Sequence, residues 1–134
     1  MAVYTKSLKI KTKAPGDIVD LTPLVADVVR ESGIQTGIVH VFAPHATGVF
    51  ALTELEPNIA SDIRRLLEEI APQGAGWRHP ANAHSHLRSM LLPPDRTLPV
   101  RQGELITGTW QSLFFIEAGL SGRYVNIEIT VIGE

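Results

Sequence analysis

The sequence predicts an α+β fold: a compact single domain over residues 1–134, with a largely antiparallel or mixed sheet and two to three helices. Three observations carry that expectation. Strand-like runs outnumber helical runs, the two kinds do not alternate regularly, and no repeat, low-complexity tract or long linker divides the chain. At 134 residues there is enough chain for one core. An eightfold β/α barrel, which needs about 200 residues, is excluded.

The first strand falls at about residues 2–12, where Leu8 and Ile10 alternate with Lys9 and Lys11. Ala14-Pro15-Gly16-Asp17 breaks it. A helix follows, with Thr22 as N-cap, Pro23 at the first helical position and Gly33 as its stop. Leu24, Val25, Val28 and Val29 form its apolar face. Residues 34–43 are rich in β-branched side chains and read as a strand. Pro44 interrupts it and residues 46–53 form the next, which places His45 in the bend between them.

Pro57 opens a second helix with Ile59, Ile63, Leu66, Leu67 and Ile70 at helical spacing. Pro72 and Gly74 end it. A glycine- and proline-rich loop covers residues 73–81 and holds Trp77. Asn82 is the expected N-cap of a short helix running to Leu92. His84 lies in its first turn, where the positive end of the helix dipole favours a neutral ring. After Pro93-Pro94-Asp95, a short strand covers Thr97 to Val100 and Gln102-Gly103 is a hairpin turn leading into Glu104. Thr109 to Ala118 is a near-continuous apolar run, the pattern of a central strand buried on both faces. The last strand alternates Val125, Ile127, Ile129 and Val131 with polar residues.

An apolar share of 44% and a charged share of 19% describe an ordinary soluble protein. A net charge of -2 offers no field to hold a nucleic-acid backbone. Lys6, Lys9, Lys11 and Lys13 read as the wet face of an edge strand rather than a phosphate patch. Zero cysteine removes disulfides and thiol chemistry together. No apolar run approaches the ~18 residues that span a membrane, and Met1 to Lys6 is no signal region. The expectation is a cytoplasmic protein with neither nucleic-acid nor membrane partners.

Four of the five histidines sit in two clusters, His45 alone and His79, His84 and His86 within eight residues. Imidazole binds divalent metals and moves protons near neutral pH. A catalytic zinc site takes three protein ligands and an open position. His45, His79 and His86 are the expected ligands of a divalent metal, zinc before others, with His84 an alternative to either of the last two. On a helix His84 and His86 point about 200° apart and cannot share one metal; on an extended segment they can. Taken singly, each histidine reads more simply as a capping or packing residue. His40 is left to the core or a sheet face.

Glu54 and Glu56 precede the second helix. Glu54 reads equally as a general base or as a complement to the helix dipole, and Glu56 as the latter. Trp110 and Gln111 enter the buried strand, where they could stack on and read a flat ring, or fill the core. Glu117 ends that strand. Arg123 either pairs with it or forks a phosphate or carboxylate.

His45-Ala46-Thr47, Glu54, Arg78-His79, Asn82-Ala83-His84-Ser85-His86-Leu87, Gly108-Thr109-Trp110-Gln111, Glu117 and the Gly133-Glu134 ending together resemble the YjbQ family, commonly labelled secondary thiamine-phosphate synthase. The resemblance spans essentially the whole chain. It departs after Glu117, where the family has an acidic residue and then Gly-Pro-Arg, and at His84, where many members are acidic. It implies a homotrimer that joins an aminopyrimidine diphosphate to a thiazole phosphate and releases pyrophosphate. The implied roles are Glu54 and His84 in catalysis, and Asn82, Trp110, Gln111 and Arg123 in binding a small phosphorylated substrate. Two other readings stay open: a metal-dependent hydrolase of a small phosphorylated substrate, and a metal- or ligand-binding trimer without turnover. A structural interaction domain is a third.

Overall fold

A computed structural model describes residues 1–134. Two antiparallel sheets are built from eight strands. Strand β1 (Ala2–Lys11) runs along β8 (Tyr124–Gly133), and β8 runs along β3 (Thr36–Phe42). The pair β5 (Asp95–Arg101) and β6 (Glu104–Leu105) completes the order β1-β8-β3-β5-β6. The second sheet has the order β2-β7-β4, from β2 (Ile18–Asp20), β7 (Ser112–Glu117) and β4 (Gly48–Thr53).

Every pairing is antiparallel. Helices α1 (Thr22–Ser32), α2 (Pro57–Ile70) and α3 (Ala83–Leu91) complete the α+β fold. None is long and apolar enough to cross a membrane.

Strand β7 holds the layers together. Leu113 and Phe115 join the core between the sheets, with Val125, Ile127 and Ile129 of β8 and Val25, Val28 and Val29 of α1. Phe114 and Ile116 face the other way, against Leu67 of α2. The apolar run is therefore buried on both faces, though β7 starts at Ser112 rather than Thr109.

Local chemistry differs from expectation at two places. Thr22 does not cap α1: Leu21 holds that position, and the Thr22 hydroxyl instead accepts from the Leu113 N–H at 2.8 Å, tying α1 to β7. Glu56, by contrast, does cap α2, its carboxylate accepting from the Ile59 N–H at 2.6 Å. The apolar stripe of α2 is only partly used. Leu67 is buried, while Leu66 and Ile70 remain 52% and 46% exposed, because a three-stranded sheet is too narrow to cover the whole stripe.

The lysines of β1 do lie on a sheet edge. Lys6 leans across to Glu31 of α1, which also accepts from the Tyr4 hydroxyl. The outer face of the large sheet is open. Val3, Ile132, Ile38 and Pro99 stand in cross-strand register there and form an apolar row over four strands. His40 lies on this face, 3.0 Å from an Asp95 oxygen.

Candidate functional site

The chain turns from β3 into β4 through Ala43 to Thr47, and His45 lies in that bend as its sequence context predicts. Its Nε2 accepts from the Asn126 N–H at 3.0 Å, so the ring is neutral with its proton on Nδ1. Burial lowers its pKa, the Arg123 charge lowers it further, and Glu117 opposes them.

Glu117 ends β7 with its side chain fully buried. One oxygen accepts from Thr12 Oγ1 at 2.6 Å and Arg123 Nε at 3.1 Å, and the other from the Gly119 N–H at 2.9 Å. Arg123 is thus a partner for Glu117. Of the two alternatives left open for it, the structure shows the ion pair, and the altered turn after Glu117 still delivers an arginine to this carboxylate.

On the other side of Glu117 lies α3. Its helical geometry settles the question of His84 and His86: they point to different sides and cannot share a metal. His84 turns inward and is 4% exposed. The Ser85 hydroxyl donates to the Ala118 carbonyl and pins α3 beside the end of β7. Asn82 sits at the N-cap position but makes no cap bond. Its Oδ1 instead meets His79 Nε2 at 3.1 Å. The rings of His79 and His86 meet edge to face, with centroids 4.9 Å apart.

A cleft of about 240 Å³ opens between α2, α3 and the end of β7, lined in part by Gly16, Arg64, Glu68, His84, Arg88 and Glu117. Both arginines are held in place. Arg64 Nε donates to the Gly16 carbonyl at 2.7 Å. Arg88 donates to the Ala71 carbonyl and to Glu68. Glu68 is offset by Arg88 and Glu117 by Arg123, which leaves Arg64 as the uncompensated cation of the cleft. No protein group hydrogen-bonds the His84 ring, and no buried side-chain atom is left without a partner or an opening. Its nitrogens therefore face the cavity. Burial lowers its pKa first and Arg88 second, with Glu68 opposing, so the ring is neutral near pH 7.

The cleft continues past His84. A neighbouring depression shares Gln73 and His84 with it and adds Trp77 and His79. The next shares Trp77 and His79 and ends on His86 and Leu87. These adjoining depressions form a line with Arg64 and Arg88 at one end, Trp77, Arg78, His79 and His86 at the other, and His84 between. The indole N–H of Trp77 is spent on the Pro72 carbonyl, which fixes the ring that lines the groove.

Sequence reading had missed Arg64, Glu68 and Arg88. One signal was available: His84 and Arg88 are four residues apart on a helix, as are Arg64 and Glu68, so each pair shares a face.

Glu54, Trp110 and Gln111 lie elsewhere. Pairing of β4 with β7 sets Gly48 against Glu117 at one end and Thr53 against Ser112 at the other. Those ends are roughly 17 Å apart at ~3.4 Å per residue. Glu54, Trp110 and Gln111 follow the second end and share a shallow depression of their own. The two residues expected in catalysis, Glu54 and His84, are therefore not brought together within one chain. The expected metal triad is not assembled either. His79 and His86 meet, but His45 is committed to Asn126, and no three histidine or acidic side chains gather to hold an ion. The residues present do not fit the zinc centre that the sequence led us to expect.

Fold and groove define a two-sheet α+β protein with a cleft on its helical side. The chain belongs to the YjbQ-like UPF0047 family, whose sequence profile matches residues 6–134. A UPF0047 protein of Methanothermobacter thermautotrophicus is 41% identical over all of this chain and 95% of its own length. YjbQ of Escherichia coli O157:H7 is 25% identical over 98% of this chain and 99% of its own. Among solved structures, a YbjQ-like protein of unknown function from Sulfolobus solfataricus superposes with a TM-score of 0.94, at 33% identity and covering 99% of each chain.

These relatives correct the expected activity. They carry family names or are described as of unknown function, and none is described as a thiamine-phosphate synthase. With the metal triad also unassembled, neither the synthase reaction nor a reaction or binding role at a histidine metal centre is retained.

Proposed function

We propose that the protein binds a small anionic molecule, bearing a phosphate or carboxylate on a flat body, in the groove centred on His84. One observation carries the reading: a buried histidine whose ring nitrogens have no protein partner faces a cleft between two anchored arginines. The free guanidinium donors of Arg64 and Arg88 suit the anion. Trp77, with the edge of the His79–His86 pair, suits the body. A neutral imidazole at the junction accepts a hydrogen bond or a proton from the ligand. We propose further that the protein works in the cytoplasm as a homotrimer. The absence of cysteine supports the first and the open apolar row of the large sheet supports the second.

Imidazole C–H resonances followed during titration with inorganic phosphate and with phenyl phosphate test the binding site. The His84 signals are expected to move saturably, with phenyl phosphate the tighter ligand. Arg64→Ala is expected to weaken both about tenfold, as loss of a charged hydrogen bond does. His84 signals indifferent to phosphates, and to acetate and benzoate in a parallel titration, would refute the reading.

A further inference from the structure

The depression at the opposite end of the small sheet has a chemistry of its own. It is lined by Leu52, Thr53, Glu54, Thr109, Trp110 and Gln111 among others, and holds no lysine, arginine or histidine. Trp110 is 74% exposed, far beyond what core packing needs. The Gln111 side-chain oxygen accepts from the Gly108 N–H at 2.8 Å, which holds the loop in shape and leaves the amide NH₂ free to donate. The Glu54 carboxylate takes part in no ion pair and caps nothing, since Glu56 caps α2. The lining thus combines an open indole, an unpaired carboxylate and an amide donor.

We propose that this shelf binds a small planar organic cation of the guanidinium or amidinium type. A planar cation stacks on an open indole face, whereas a compact ammonium is better held by a cage of several rings. The two parallel N–H groups of a guanidinium match the Glu54 carboxylate. The Gln111 NH₂ selects a ligand with an acceptor beside its cation. The shelf is one strand length, roughly 17 Å, from the Glu117 end. Within one chain the shelf is separate from the His84 groove, and the two proposals have separate readouts, the Trp110 indole here and the His84 ring there.

Selective ¹⁵N labelling of tryptophan gives two indole signals, assigned by Trp110→Phe. Methylguanidinium chloride is titrated against methylammonium and sodium chlorides at matched ionic strength. The Trp110 signal is expected to move saturably with methylguanidinium alone, while that of Trp77, bonded to Pro72, stays still. Glu54→Gln is expected to weaken binding about fivefold. Capped glycyl-arginyl-glycine serves as a second arm: binding much tighter than methylguanidinium would overturn the assignment to a small molecule in favour of a protein side chain. No saturable shift up to about 50 mM, well above a millimolar Kd, would overturn the proposal. An equal shift with methylammonium would overturn the planar-cation class.

Discussion

Removing Arg123 tests whether Glu117 is a structural charge or a group free for the cleft. Arg123→Met keeps much of the side-chain volume and removes the only cation that bonds the buried carboxylate. Breaking a buried pair from one side costs about 3–5 kcal/mol. Arg123 is 29% exposed, so water reaches its place and the expected loss is about 2–3 kcal/mol. A chain of 134 residues gains roughly 0.28 kcal/mol per kelvin of unfolding entropy near its midpoint, so Tm should fall by about 7–11 °C. Glu117→Gln alone should cost about 1–3 kcal/mol, since its amide nitrogen replaces an acceptor before Gly119, Thr12 or Arg123. Urea unfolding of both single variants and the double, at pH 7 and fixed protein concentration, gives the coupling energy. We expect about 1–2 kcal/mol, with the double variant losing less than the sum. A coupling near zero, or an Arg123→Met variant within about 0.5 kcal/mol of wild type, would refute the claim that this pair is one structural unit.

The histidines set a pH dependence. Both His45 and His84 have folded pKa values below the ordinary 6.5, so above that value both states are neutral and stability is full. As pH falls below it the unfolded chain binds protons first, and stability drops until the folded pKa is passed. Urea midpoints should decline from pH 7 to 5, and His84→Gln should reduce that slope; an unchanged slope would remove His84 from the account. Gly119→Ala places a Cβ 2.9 Å from the Glu117 carboxylate and should cost about 1–2 kcal/mol in thermal unfolding, a loss absent in a Glu117→Ala background. Ile38→Lys, in the middle of the open apolar row, should shift sedimentation from the proposed trimer to monomer with little change in far-UV circular dichroism; an unshifted assembly would clear this face of the role. Stability losses in His84→Ala and Trp110→Ala should add to within about 0.5 kcal/mol, since their sites lie well apart, and excess coupling in the unliganded protein would contradict the split.

What the sequence disclosed depended on range. The run from Leu113 to Ile116 announces a strand between two cores, because alternate side chains on both faces are apolar and only two-sided burial satisfies that. The bend at His45 follows from Pro44, and the start of α2 from Pro57. Three-residue β2 has no period to read and went unforeseen. Thr22 carried a cap signal that β7 redirected, since its hydroxyl gained a backbone partner across the core. Amphipathic spacing gives the direction of the α2 face and not how much surface opposes it, so Leu66 and Ile70 stay exposed.

The candidate site shows the same limit more sharply. His84, Arg64 and Glu117 belong to three different elements, and only the stacking of α2 and α3 on the small sheet joins them. Glu54 and Trp110 meet because β4 and β7 pair in one register; a shift by one residue would turn every side chain of β4 to the opposite face. Residue types picked out for chemistry were thus found in the sequence, while their grouping was not. Grouped by type, they describe one metal enzyme. Grouped by the β4–β7 ladder, they separate into the His84 groove at one end and the Glu54–Trp110 shelf at the other. A single substrate reaching from His84 to Trp110 would have to span roughly 17 Å past a closed strand ladder, unless a second copy of the chain brings one end to the other.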